Sequence, residues 1–315
     1  MRYHVMRAAC MAAMLAVPGW APAAGQGLYL SGDFGMNFGA SLDSNGASND
    51  RASICDEYIN PRYASVTDDG QGKSCTAPGR GLGDGWDNGF SSDEGPLFAL
   101  ALGYRLPDSM LRTEIEYFYR DTDYDETAPI PSAVGVNRSK IAEEIATAVD
   151  RIGSFVSHNL FANLYMDFAG SGALTPYVGA GVGLGFAEVD YGSVWARELD
   201  PAKINTGAGQ PNVNEIRQNL AGTTSVADEE LTDTLFGYQL IAGIDYQLTD
   251  HLLAGLKARW VRFEDFRDSG VVWNPLRSHP PYIRKSGADR EKVDGVFKLR
   301  DVELWAVSLT LKYLF

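Results

Sequence analysis

Glu114 and Glu116 stand two residues apart in the stretch Met110 to Arg120, where Leu111, Ile115, Tyr117 and Tyr119 fill the odd positions. Lys257 and Arg259 repeat that spacing between Leu252 and Phe266, alternating with Leu256, Ala258 and Trp260. A period of two places alternate residues on one face of a strand. Two carboxylates on one such face and two bases on another can neutralise each other across a narrow interior, or can line a charged path for ions. Unpaired charges in a confined space are costly, so the first arrangement is expected, with Asp245, Asp167 and Lys312 joining it lower down.

Catalysis needs a nucleophile, a base and an orienting acid that converge. Beyond the first 23 residues the histidines are His158, His251 and His279. His158 falls on the polar-poor face of its strand, His251 in a short turn, and His279 between Ser278 and Pro280. The glycine-rich run Gly179 to Gly185 is not a phosphate loop, because no helix and no Lys-Ser/Thr pair follows it. Asp84-Gly-Trp-Asp87-Asn88-Gly89 lacks the spacing and distal Glu of a calcium loop. No catalytic residue, cofactor or metal ligand is assigned, and the chain is read as a non-enzyme.

The elements that carry these residues alternate throughout. Eight strands are expected: Gly27 to Phe38, Pro96 to Leu106, Met110 to Arg120, Ser157 to Ala169, Thr175 to Glu188, Thr234 to Leu248, Leu252 to Phe266 and Arg300 to Phe315. Glycines at alternate positions of the fifth leave room for bulky side chains from across a narrow lumen. Segments 39–95, 121–156, 189–233 and 267–299 are long, whereas Pro107-Asp-Ser109, Gly170 to Leu174 and Thr249-Asp-His251 are short and rich in turn residues. That rhythm is the signature of an eight-stranded antiparallel up-and-down transmembrane β-barrel with short turns at one end and four long extracellular loops at the other. A soluble barrel would have to bury these aromatic and leucine-rich faces inside, where there is little room. No stretch reaches 18 apolar residues after the N-terminus, so no membrane helix is expected.

Both ends of the chain fit an exported barrel. Arg2 and Arg7, the apolar run Ala8 to Val17 and Ala21-Pro22-Ala23 read as a cleaved signal peptide over residues 1–23, leaving 24–315 as one barrel domain. Its loss takes two of 27 bases and none of 41 acids, moving the net charge from −14 to −16 and arguing against nucleic acid as a partner. The run Trp305, Val307, Leu309, Leu311, Tyr313, Phe315 resembles the last strand of bacterial outer-membrane barrels, which implies that Phe315 is a sorting signal to the barrel-insertion machinery. His158 to Phe168 and Leu174 to Phe186 resemble the fourth and fifth strands of small outer-membrane barrels of the opacity-protein and surface-antigen type, related in shape to the OmpA membrane domain. The opening Gly27-Leu-Tyr-Leu-Ser-Gly-Asp-Phe-Gly35 fits too; the long segments match no pattern of that family. Lipid-deacylating barrels resemble a His-x-Ser pattern on one strand, and here position 160 is Leu.

The resemblance implies a monomer in the outer membrane of a Gram-negative cell, both termini periplasmic, in contact with lipid and lipopolysaccharide. An envelope-structural or adhesin-like role through the loops is expected; a small-solute channel is the alternative, and a lipid A or peptide hydrolase stands behind both. Of three cysteines, Cys55 and Cys75 remain after export and are expected to form a disulfide, worth about 3 kcal/mol in the loop-entropy picture. Ile141, Ile145, Val149 and Ile152 recur at helical spacing, predicting a helix over 139–155 capped by Ser139. Segment 39–95 carries ten acids and four bases, and 267–300 eight bases and four acids. Arg277, Arg284, Lys285, Arg290 and Lys292 make the latter a candidate loop for lipopolysaccharide phosphates, a host or envelope ligand, or another polyanion.

Overall fold

The computed structural model describes residues 27–48, 85–91, 93–133, 141–168, 173–205, 208, 213–275 and 293–315. Eight strands close a ring near the short turns: β1 (Leu28–Gly39), β4 (Glu94–Arg105), β5 (Leu111–Pro129), β7 (Ile145–Asp167), β8 (Leu174–Arg197), β9 (Thr224–Gln247), β10 (Leu252–Phe263) and β13 (Glu303–Leu314). Each pairs antiparallel with its neighbours, and β1 closes the ring on β13, with Tyr29 opposite Leu314 and Phe38 opposite Trp305. The two ends of the ring also meet through Phe315 N–H, which donates to the Leu28 carbonyl at 3.1 Å. This is the eight-stranded transmembrane barrel expected from the alternation.

Around this ring the apolar residues point outward and have no protein to cover them. Phe34, Leu102, Ile115, Leu164, Val182, Leu240 and Leu309 are all exposed, Leu309 by 64%. In water such a belt would cost far more than scattered surface leucines. On β8 it runs from Val178 to Phe186, about the length that a tilted strand needs to cross hydrocarbon. Aromatic side chains mark its two rims, with Trp260 and Trp305 at one end and Tyr246 and Tyr313 at the other.

Beyond the belt the barrel continues as a second storey. β5, β7, β8 and β9 run straight through, so most of 121–129, 145–156, 189–197 and 224–233 is strand rather than loop. The other four strands break for two or three residues and then resume as β2 (Leu42–Ser48), β3 (Gly85–Phe90), β11 (Phe266–Pro275) and β12 (Val293–Arg300). These pair in the order β11-β12-β2-β3, and β6 (Ser132–Ala133) adds to β3. A 3-10 turn at Pro201–Lys203 and α1 (Val213–Leu220) lie in the connection between β8 and β9 and share a small cluster of Ile204, Ile216 and Leu220.

The helix expected over 139–155 gives way to strand from Ile145 onward. Among the described residues 141–143 are helical, and β7 starts at Ile145. Bulges between Ile145 and Thr147 and between Ile152 and Phe155 add residues to that strand, so inward Ala148, Ile152 and Phe155 fall three or four apart and imitate a helix, while Val149 alternates to the other face. Ile152 and Phe155 in fact point into the storey, at 0% and 1% exposure.

Candidate functional site: a filled lumen under an upper storey

Alternation along each strand decides what enters the lumen. From the short-turn end upward, Lys312 on β13 meets Asp245 on β9 at 2.5 Å, and Arg112 on β5 meets Asp167 on β7 at 2.9 Å. Arg112 also lies 3.4 Å from Glu114, bonds the Tyr29 hydroxyl at 2.7 Å, and stacks over Tyr165 at 3.8 Å. Midway up, Glu116 receives Arg259 at 2.7 Å and Lys257 at 3.2 Å. Asp33, on β1, receives the same two bases at 3.2 and 2.6 Å. Asn163 and Gln239 donate to the remaining Glu116 oxygen at 3.0 and 3.2 Å.

Glu116 therefore contacts both Lys257 and Arg259, whereas Glu114 has no hydrogen bond to either. It accepts instead from Tyr29 and Tyr165, each at 2.8 Å. Asp33, Arg112, Tyr29, Tyr165, Asn163 and Gln239 complete the network without having been singled out in the sequence. Their signal was parity alone, since each lies on the inward set of its strand. All four members of the central quartet are at most 6% exposed, and two carboxylates balance two bases.

The glycines of β8 shape this packing. Gly179, Gly181 and Gly183 lie directly opposite Tyr165, Asn163 and Phe161 on β7. A Cβ at Gly179 would run into the Tyr165 ring, and one at Gly181 into Asn163 Oδ1. The space is thus used by the neighbouring strand rather than by groups from the far wall.

Above the ion pairs the filling becomes apolar. Phe118, Phe161 and Phe263 cross the lumen, with Phe118 and Phe161 centroids 5.4 Å apart. A polar ring follows, in which Arg120 donates to Ser157 Oγ at 3.0 Å and Thr122 Oγ1 at 3.3 Å, and Asn37 accepts from Thr122. Higher still, Tyr191, Phe297, Phe155, Phe266, Val271 and Trp273 form the storey's own core, with Tyr191 and Phe297 only 4.1 Å apart. Within it, Asp150 is fully buried and accepts from Trp86 Nε1 at 2.8 Å and the Tyr191 hydroxyl at 3.0 Å. Burial pushes its carboxyl above the usual carboxylate range, against the hydrogen bonds that favour the anion.

The other sequence candidates stand apart from this column. His158 projects outward at the belt's upper rim, its Nδ1 2.7 Å from the Tyr117 hydroxyl, and Tyr119 packs on its ring. His251 lies in a short turn, with Nδ1 3.0 Å from the Leu314 carbonyl. Phe315 packs edge-on against Tyr313 at the ring's lower edge. Among the described residues, no group of three His, Cys, Asp or Glu side chains is placed to hold a metal. Cys55, Cys75, His279, and the basic residues Arg277, Arg284, Lys285, Arg290 and Lys292 lie outside the described residues, as does the expected signal peptide.

No family model matches the chain. An uncharacterized protein of Brucella suis is 28% identical over 215 residues, spanning 67% of each chain, and one of Brucella melitensis is 26% identical over the same length and share. Among solved structures, Neisserial surface protein A has a TM-score of 0.40 at 13% identity, covering 92% of this chain and 97% of its own. The outer membrane protein OprG of Pseudomonas aeruginosa scores 0.38 at 12%, covering 92% and 98%. The outer membrane protease OmpT of Escherichia coli scores 0.37 at 7%, covering 91% and 97%. Likeness at these levels assigns no activity to this chain.

Proposed function

We propose that this is an integral outer-membrane protein of a Gram-negative envelope, with both termini periplasmic, that works as a surface-interaction or envelope-structural protein through its extracellular storey and loops. The observation that carries this reading is the filled lumen. Ion pairs, then aromatic rings, then a second apolar core occupy the axis from the short turns to the top of the storey. A small-solute channel needs a continuous wet path, and this column opposes one. The outward face of the storey is polar and rich in carboxylates, including Glu188, Asp190, Asp228 and Glu230. The basic segment with Arg277, Arg284, Lys285, Arg290 and Lys292 adds a candidate contact for lipopolysaccharide phosphates or another polyanion.

Planar-bilayer recording with purified, folded protein is the test. No conductance above the bare bilayer is expected for the native chain. Steady single-channel openings would overturn the reading in favour of a pore, and binding of the native protein to polyanion-coated beads should weaken when the five bases are replaced by Ala.

A further inference from the structure

The upper storey is two sheets rather than one closed wall. β5, β7, β8 and β9 form one sheet, continuous with the belt; β11, β12, β2 and β3 form the other. All four strands of the second sheet join the belt through interruptions at one level, which include Ala40-Ser41, Ser91 and Asp93, Glu264-Asp265 and Asp301-Val302. Asp301 takes a positive φ of 57° there, a conformation that ends a strand.

Between β9 and β11 the backbone ladder is missing over most of its length. Phe263 lies opposite Gly237 below, and Asn274 opposite Val226 above, with equal numbers of residues between them on each strand. The register is therefore kept while most of the bonds are not; Glu264 N–H still donates to the Phe236 carbonyl at 2.9 Å. Side-chain carboxylates take the place of carbonyls: Asp268 accepts from Thr232 N–H at 2.8 Å, Asp233 from Arg267 N–H at 2.8 Å, and Glu264 from Phe236 N–H at 2.9 Å. The opposite seam has no direct β3–β5 ladder among the described residues, but β6, which follows β5, pairs there with β3, Ala133 opposite Trp86 and Ser132 opposite Asp87. Asn88 donates there to the Ala128 carbonyl at 3.1 Å, and Ser91 N–H donates to Glu126 at 2.5 Å. Inside, the sheets touch through apolar faces, Phe266 on Phe155 and Phe297 on Tyr191, and through Trp86 on Asp150.

We propose that β2, β3, β11 and β12 form a hinged flap that turns about the four interruptions and opens the storey's apolar interior along the seam between β9 and β11. Strong ladders hold each sheet together and β6 ties the second sheet on the β3 side, whereas the seam between β9 and β11 is held mainly by exposed carboxylate bonds, so that seam is where the wall parts first. The hinge residues absorb the turn, as element ends do in domain closure. Two backbone pairs at the top of the seam and the carboxylate bridges act as the latch.

Accessibility of a core thiol tests this. Val271 is fully buried between the sheets. In a chain with Cys55→Ser and Cys75→Ser, Val271→Cys should react with a small maleimide while the protein keeps its heat-modifiable, folded migration. Adding Asp233→Ala, Glu264→Ala and Asp268→Ala should speed that reaction about tenfold or more, as expected for losing several hydrogen bonds to charged acceptors. Leu304→Cys, inside the belt, should not respond. Equal acceleration at both sites, or none at Val271→Cys, would overturn the flap. Hydrogen exchange of the unaltered chain gives a second measure that needs no variant. The amides of Thr232, Phe236 and Arg267 should exchange faster than the β8–β9 ladder amides at the same height, and matched rates would overturn the proposal.

Discussion

Replacing Lys257 by Met removes one of two bases that serve two buried carboxylates. Asp33 and Glu116 then share Arg259 alone, with one negative charge left over in a space where Lys257, Arg259 and Glu116 are at most 1% exposed. Breaking one side of a buried, hydrogen-bonded pair costs about 3–5 kcal/mol, because the abandoned charge keeps its desolvation penalty. Asp33→Asn alone should cost a comparable amount by stranding a base. The two changes together leave Glu116 with Arg259 at 2.7 Å, a balanced pair, so the double variant should lose about 2 kcal/mol or more less than the sum of the singles. Urea unfolding from lipid vesicles, followed by tryptophan fluorescence and by heat-modifiable mobility, reads all four forms. Additive losses would mean that the quartet does not act as a unit. A loss under about 1 kcal/mol for Lys257→Met would mean that water reaches the lumen and screens it.

Gly181→Ala should cost about 1–3 kcal/mol, since the new methyl meets Asn163 and the Ala162 carbonyl, and it should also loosen Glu116, which Asn163 holds; an unchanged unfolding midpoint would refute that packing. Asp150 has a raised pKa in the folded state, so the folded form binds more protons than the unfolded one just above the ordinary carboxylate range. Stability of the storey should therefore fall as pH rises through that window, and Asp150→Asn should flatten the slope; an unaltered slope would show that the proton sits elsewhere. Val182→Arg, in the middle of the belt, should cost about 2–4 kcal/mol, against about 0–1 kcal/mol for Glu188→Arg at its edge; equal costs would misplace the membrane. Cys55 and Cys75 should resist thiol labelling in unreduced protein, and free thiols at both would rule out the bridge.

Strand identity was open to the sequence because the belt forces it. Residues Leu252 to Trp260 or Trp305 to Tyr313 must alternate when lipid wets one face and a polar lumen the other. Counting from the short turns also places Glu116 level with Lys257 and Arg259. Asp33 escapes that count because it sits on β1, between the two strands being compared. Its carboxylate reaches the same bases only in the closed ring. Glu114, two residues below, is drawn to Arg112 on its own strand and to two tyrosines, a preference that depends on side-chain lengths rather than on spacing.

The long connectors hid their strands for a different reason, which β8 shows. Outward residues run Val178, Ala180, Val182, Leu184, Phe186 and then turn to Glu188 and Asp190. Inward ones run Gly179 to Gly185 and then turn to Ala187, Val189 and Tyr191, all buried. The pleat is unbroken, but the apolar set jumps from even to odd positions as the strand leaves lipid for water. β9 makes the same exchange, from outward Phe236 and Tyr238 to inward Leu235 and Leu231. A reader following one parity sees the strand end where only its solvent changes. The exchange fixes the upper edge of the membrane near Phe186 and Phe236, and it makes the storey above a water-exposed protein with its own core. That core fills the top of the lumen above the ion pairs, so belt and storey are two packed compartments joined by four continuous strands.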